Sequence, residues 1–376
     1  MTINLKYNES SNGGVFMTKR IGILTSGGDC PGLNAAIRGV ALASYGLMDC
    51  EIIGIKNGFF GLIHDDMIKL KPSDFSELLT RGGTILGSHR TPFKRMRKIE
   101  DDGIDKVKSM VKNYKKAELD CLVCLGGNGT HKNANLLREE GLNIIGLPKT
   151  IDNDIWGTET SFGYASAVNI ATDVIDRIHT TAASHDRVMI VELMGHKAGW
   201  LPLKAGIAGG AEIILIPEIP YSVNEVIRVI KERKKHGKNF SIIVVAEGAK
   251  TVEELTMSKS EYKEYLELLN HTPVSYRLAR YIEYNLKADT RVTVPGYQQR
   301  GGSPIAEDRV LATRIGAYAA KLIKNKEYGV AVSVVDGKIK DTPLSEVASK
   351  LKLVTEEDNL VKTARLVGIS FGEPKK

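Results

Sequence analysis

LDCLVCLGGNGTHKNANLLREE, Leu119 to Glu140, holds a complete structural unit: an uninterrupted apolar run, a glycine pair, then apolar positions at helical spacing. Strands that read as continuous apolar runs are covered on both faces, and a strand followed directly by a helix is the building block of a parallel sheet. The unit recurs. RIGILTS (Arg20–Ser26) leads into PGLNAAIRGVALAS, and NIIGLPK (Asn143–Lys149) leads, after a polar turn, into GYASAVNIATDVIDRIH. RVMIVEL, EIILIPE, SIIVVAEG and TRVTVPG continue the theme, separated by helical patterns such as SVNEVIRVIKERKK and AEDRVLATRIGAYAAKLIKN. The expected class is α/β with two lobes, each a mostly parallel sheet covered by helices.

At 376 residues the chain is long enough for two lobes or one large one. Hydrophobic residues make up 42% and charged residues 26%, an ordinary globular balance. The net charge of +7 is mildly basic, but no lysine block is interleaved with aromatics. Anionic small substrates are therefore the expected partners, and nucleic acid is not. The densest basic run, KERKKHGK (Lys231–Lys238), ends an amphipathic pattern and reads as a solvated helix terminus. No apolar stretch reaches the length of a membrane span and no secretory leader is visible, so the expected location is cytoplasmic. Cys121 and Cys124, three apart on a strand, should point to opposite faces, as core thiols rather than a redox pair. Residues 1–16 are polar and turn-rich and read as a poorly ordered extension. The segment from Thr251 to Pro273 is charged and helical in pattern, with no assignable role.

Ligands of open α/β sheets bind beyond the carboxyl ends of the strands, and three loops there carry chemistry. TSGGDCPGLN (Thr25–Asn34) and LGGNGTHKNANLL each place glycines between a strand and a helix N-terminus, where free N–H groups suit an anion. Neither is a P-loop or a dinucleotide fingerprint. Two such turns in one chain point to phosphate. The third loop, GLPKTIDNDIWGT (Gly146–Thr158), gathers an ammonium, a hydroxyl and two carboxylates at one strand end, the groups phosphoryl transfer needs. A self-bonded Asx turn would account for only one of the two aspartates.

With GILTSGGDCPGLNAAIRG, RGGTILGSHR, LGGNGTHK, PKTIDNDI, VELMGHKAGW and GYQQRGGSPIAEDRVLATRIGAYA in that order, the chain resembles the 6-phosphofructokinase family from Met17 to about Leu344. The resemblance implies phosphoryl transfer from ATP to the 1-hydroxyl of fructose 6-phosphate, with Mg2+ as cofactor. It makes Asp152 the catalytic base and assigns Asp154, with Asn128, to the metal. It places the sugar phosphate on Thr150, Asp152, Arg187, Met194, Gly195, Glu247, Arg291, Tyr297 and Arg300. The donor phosphates fall to Gly27, Arg90, Gly127, Asn128, Gly129, Thr130 and Lys149. A nucleotide lobe of 17–163 plus 299–345, a sugar-phosphate lobe of 164–298 plus 346–376, and a homodimer or homotetramer sharing its substrate site across an interface are also implied.

Gly129 points to ATP, since relatives using pyrophosphate carry aspartate there, whereas Lys149 is typical of those relatives. Asn128 stands where aspartate is usual, His196 where arginine is usual and Tyr297 where many relatives have histidine. The rival readings are a pyrophosphate-dependent enzyme and a catalytically weak regulatory homologue. If Asn128 merely lacks a carboxylate, Asn128→Asp should strengthen the use of magnesium. The alternative is a site built around the asparagine.

Overall fold

The computed structural model describes residues 18–374, so the expectation for 1–16 lies outside the described residues. Its strands are β1 (Lys19–Ser26), β2 (Cys50–Ile55), β3 (Met67–Leu70), β4 (Cys121–Gly126), β5 (Ile144–Pro148), β6 (Val188–Leu193), β7 (Ile213–Leu215), β8 (Ser241–Ala246), β9 (Thr290–Thr293), β10 (Val330–Val335) and β11 (Lys338–Pro343). They form a seven-stranded sheet in the order β11-β10-β5-β4-β1-β2-β3 and a four-stranded sheet in the order β7-β8-β6-β9. Pairing is parallel throughout except at the two edges of the larger sheet, where β3 and β11 return antiparallel.

The alternation within β4 shows how the larger sheet is buried. Cys121, Val123 and Leu125 enter one core, while Leu122 and Cys124 enter the other, so the strand period separates the two thiols. All four cysteines are free. The first of these cores is shared by both sheets. It runs from Ile21 and Leu147 through Ala171 and Ile175 of the helix Tyr164–His185 to Val191 and Ile214. The outer faces are covered separately, by Met110 of the helix Lys106–Lys116 on one side and by Leu278 and Ile282 of the helix Val274–Leu286 on the other.

Two contacts hold the sheet-bridging helices. Helices Leu33–Leu47 and Ala306–Asn325 cross at Gly39 and Gly316, where a Cβ would meet backbone of the facing helix at 2.9 Å and 2.6 Å, respectively. Only glycine permits that approach. The helix Tyr164–His185 has no side-chain cap of its own. Instead the fully buried carboxylate of Asp308 accepts the N–H groups of Gly163 at 2.9 Å and Ser166 at 2.7 Å. An anion at a helix N-terminus meets the free N–H groups and the positive end of the dipole together.

Beyond the strands read from sequence, the larger sheet contains β2, β3, β10 and β11. β11 is an edge strand whose Lys338, Lys340 and Asp341 are exposed, a charged rim that blocks edge-to-edge pairing. The Thr251–Pro273 segment forms two short helices, Val252–Thr256 and Lys259–Leu268, each begun by a capping box; the second buries no residue. After the helix Leu344–Ser349 the chain passes the Asp154 loop and crosses to the smaller sheet, where the Ser370 carbonyl accepts the Ile214 N–H at 2.9 Å.

Candidate active site

At the carboxyl ends of β1, β4 and β5 lies a cleft of about 310 Å³, lined by Ser26, Gly27, Gly28, Arg90, Gly127 to Thr130, Lys149, Thr150, Asp152, Asp154 and Arg300, with Thr91 to Phe93 at its rim. Its volume is that of a small-molecule site. The helix Asn128–Glu139 starts here with Gly127 as N-cap and no side-chain cap, leaving its first N–H groups for a ligand. Beneath the turn, the imidazole of the buried His131 bonds the Gly127 carbonyl through Nδ1 at 3.0 Å, and burial drives its pKa down to about 4. Gly27 adopts φ 84°, and its backbone is held by Ser88, whose hydroxyl donates to the Gly27 carbonyl at 2.5 Å. The bridge between Ser26 and His89 then carries Arg90 to the lip.

The acidic turn is folded by a residue that the sequence reading passed over. Asn153 is buried with φ 52°, a conformation asparagine tolerates better than most. Its Oδ1 accepts the Ser161 N–H at 3.1 Å, and its Nδ2 donates to the Glu159 carbonyl at 3.2 Å. Asn153 thereby faces inward while Asp152 and Asp154, on either side of it, line the cleft. Thr150 secures the turn by accepting the Asp152 N–H at 3.1 Å.

Burial raises the proton affinity of Asp152, opposed first by Arg300, then by Lys149, His196 and Arg90. Asp154 is pushed up to about 6 by burial and by repulsion from Asp152. Lys149 is buried, and its ammonium donates to the Gly28 carbonyl; desolvation lowers its pKa. A basic carboxylate, a second carboxylate, cations and free helix N–H groups in one cleft are equipped for phosphoryl chemistry.

Arg300 joins the cleft from the side of the smaller sheet, while Met194, Gly195 and Glu247 are not among its lining residues. Gln299, fully buried, accepts the Met194 N–H at 3.1 Å and donates to the Gly296 carbonyl at 3.0 Å, locking the end of β6 to the turn that carries Arg300. Arg300 in turn donates to the Asp29 carbonyl at 3.1 Å. Gly195 bonds Glu247, whose carboxylate and that of Asp152 repel one another. Arg187, Arg291 and Tyr297 are not brought into the cleft. Arg187 lies just before β6 and bonds Asp289 at 2.6 Å; Arg291, opposite Met189 in register, pairs with the same carboxylate. These arginines are therefore at the amino ends of their strands, away from the cleft. Tyr297 is 84% exposed.

Asn128 lines the cleft, but its amide Nδ2 donates to the Lys350 carbonyl at 3.0 Å. An aspartate there would have no proton to donate and would set a carboxylate against a carbonyl oxygen. The magnesium requirement of Asn128→Asp is thus expected to be unchanged or raised, the reverse of what the missing carboxylate alone suggests. A magnesium titration at fixed free ATP checks this, and a clearly lowered requirement would show that the Lys350 bond is expendable.

A phosphofructokinase family profile matches residues 20–323. The chain is 55% identical to an ATP-dependent 6-phosphofructokinase of Spirochaeta thermophila, covering 95% of this chain and 98% of that protein. It is 49% identical to ATP-dependent 6-phosphofructokinase 3 of Bacteroides thetaiotaomicron, covering 94% and 100%. Among solved structures, phosphofructokinase from Saccharomyces cerevisiae matches 88% of this chain with a TM-score of 0.75 at 31% identity. This chain spans 45% of that longer one.

Proposed function

The chain belongs to the phosphofructokinase family, and from that premise we propose that its cleft transfers the γ-phosphoryl group of ATP to the 1-hydroxyl of fructose 6-phosphate, giving fructose 1,6-bisphosphate and ADP, a step of glycolysis. The observation that carries the choice of donor is Gly129. It sits in the first turn of the helix Asn128–Glu139 without a positive φ, and a Cβ added there would meet nothing within 4 Å. The backbone does not require glycine at this position, so its absent side chain serves to keep the mouth of the cradle open. That room suits a nucleotide's α-phosphate. Lys149, the feature that favours pyrophosphate, has its ammonium bonded to the Gly28 carbonyl.

In this reading Asp152 accepts the proton of the 1-hydroxyl, and burial makes it a better acceptor than a solvated carboxylate. The N–H groups of the Asn128–Glu139 helix, with Gly27 and Arg90, hold the donor phosphates. Among the described residues no group of three or more His, Cys, Asp or Glu stands ready to hold a metal alone. Magnesium in kinases sits on one or two carboxylates plus substrate phosphates, and the Asp154 carboxylate with the Asn128 amide oxygen fits that donor set. When bound, the ion would offset charge on the donor phosphates. Thr150, Met194, Gly195, Glu247 and Arg300 hold the sugar.

The position of Arg187 and Arg291 away from the cleft supports a homo-oligomer in which they serve a neighbouring subunit's sugar phosphate. The larger sheet is then the nucleotide lobe and the smaller sheet the sugar-phosphate lobe. No helix of the described residues is long and apolar enough to cross a membrane.

Turnover assays with fructose 6-phosphate and, in parallel, ATP, GTP and pyrophosphate test the proposal. Turnover is expected with ATP. Activity only with pyrophosphate would overturn the donor, and none with any donor would favour the regulatory homologue. Arg300→Ala should raise the KM for fructose 6-phosphate roughly 10- to 100-fold, the size of the charge-assisted hydrogen bonds it removes. Saturation curves for both substrates check this. A variant that loses ATP affinity and keeps sugar affinity would reverse the assignment of the two sides.

A further inference from the structure

The five residues Lys350–Val354 lie beyond the matched family region and carry no motif. They nevertheless join two cleft-lining residues from separate elements, Asn128 of the helix and Asp154 of the acidic loop. The Lys350 carbonyl accepts Asn128 Nδ2, and Leu351 pairs with Ile155 in an antiparallel bridge. The Lys352 N–H donates to the Asp154 carbonyl at 2.9 Å, and the Lys352 ammonium donates to the carbonyls of Thr158 at 2.9 Å and Glu159 at 2.8 Å. On the other side, Trp200 Nε1 donates to the Lys352 carbonyl at 2.9 Å. The Val354 N–H donates at 2.9 Å to Glu218, whose carboxylate also accepts the Gly199 N–H.

We propose that Lys350–Val354 is a clasp that sets the Asp154 loop in register with the phosphate-cradle helix, and that Lys352 is its positioning residue. The proposal rests on the phosphoryl-transfer reading above for its kinetic consequence, but not for its structural one. The loop after Asp154 belongs to neither a sheet nor a helix, and Gly157 within it adopts φ 81°. Asn153 and β10 anchor its far end, at Thr158 and Glu159, and the clasp adds the tie at Asp154 itself. Two successive carbonyls of the loop, Thr158 and Glu159, converge on one ammonium, which has enough donors for both. A neutral apolar side chain would remove the donor to Thr158 and leave the Glu159 carbonyl with Asn153 alone of these two donors. The other end of the clasp explains why Asn128, and not aspartate, suits this chain: only the amide can donate to Lys350. Asp154 is then held from behind by the backbone of Lys352 and beside the helix N-terminus by Asn128. A misplacement of about 1 Å in such a site costs on the order of 100-fold in rate.

Both tryptophans of the chain report on the clasp, since the Lys350 ammonium lies 4.9 Å from the centre of the Trp156 ring and that of Lys352 lies 5.3 Å from the Trp200 ring. The test compares full-length wild type, Lys352→Met and Lys352→Arg. Lys352→Met is expected to lower kcat roughly 10- to 100-fold, to leave the KM for fructose 6-phosphate within about twofold, and to raise the magnesium needed for half-maximal turnover. Lys352→Arg should recover most of the loss. Independently of turnover, amide hydrogen exchange over 152–160 should quicken in Lys352→Met while β6 and β8 are unaffected, and tryptophan fluorescence should change. Should Lys352→Met fail to fold, Lys352→Gln, which keeps a single amide donor, carries the same comparison. Unchanged exchange over 152–160 would overturn the clasp, as would a selective loss of sugar affinity. A wild type inactive with ATP would overturn the donor assignment alone, because exchange still decides the clasp.

Discussion

Asp152→Asn should lower turnover roughly 10²- to 10⁴-fold, the contribution of a positioned general base, while fructose 6-phosphate affinity changes little. The asparagine keeps the size of the side chain and removes its ability to take up a proton. Burial raises the basicity of Asp152, while Arg300 and Lys149 keep the ionised form accessible. In the proposed role its charge matters most as the proton leaves the sugar. Steady-state kinetics with fructose 6-phosphate binding measured in parallel check this. A folded Asp152→Asn protein with turnover within threefold of wild type would remove Asp152 from the chemistry.

Asp308→Ala should cost the fold about 3–5 kcal/mol. It strands the N–H groups of Gly163 and Ser166 in a fully buried place, at about 1–3 kcal/mol each, and removes the anion from a helix N-terminus. Asp308→Asn retains an acceptor oxygen and should lose roughly half as much. Chemical denaturation of the three proteins decides this. A loss below about 1 kcal/mol for Asp308→Ala would mean that water replaces the carboxylate.

What the sequence revealed depended on whether the determining interaction was local. β4 and β5 were legible because they are covered on both faces and contain only apolar or small residues. β3, four residues long, and β11, charged along an edge, carry no such signal, and their place follows from pairing with β2 and β10. In the cleft, the glycine turns and the two aspartates stood out by residue type. Asn153 did not, because its role lies in a backbone conformation and two bonds to Glu159 and Ser161. Least legible was the tie between Asn128 and Lys350, which joins residues 222 positions apart through a backbone carbonyl that any residue possesses. The resemblance assigns Asn128 to the donor phosphates and the metal, and the residue lines the cleft. That assignment did not reveal which of the two amide atoms was already engaged.

The order of strands in the larger sheet also dictates when it can be completed during synthesis. β5 waits for its neighbour β10, which is encoded on the order of 180 residues later, after the whole of the smaller sheet. At roughly 5–20 residues per second the ribosome needs about 10–40 s to make that stretch. Throughout it, the outer edge of β5 lacks its strand, and the helix Leu33–Leu47 lacks the helix that crosses it at Gly39. The larger sheet, begun first, is therefore completed only after every strand of the smaller one has been made, and its nascent form displays an open strand edge beside an uncovered apolar helix face, the combination that chaperones bind and that neighbouring nascent chains can exchange.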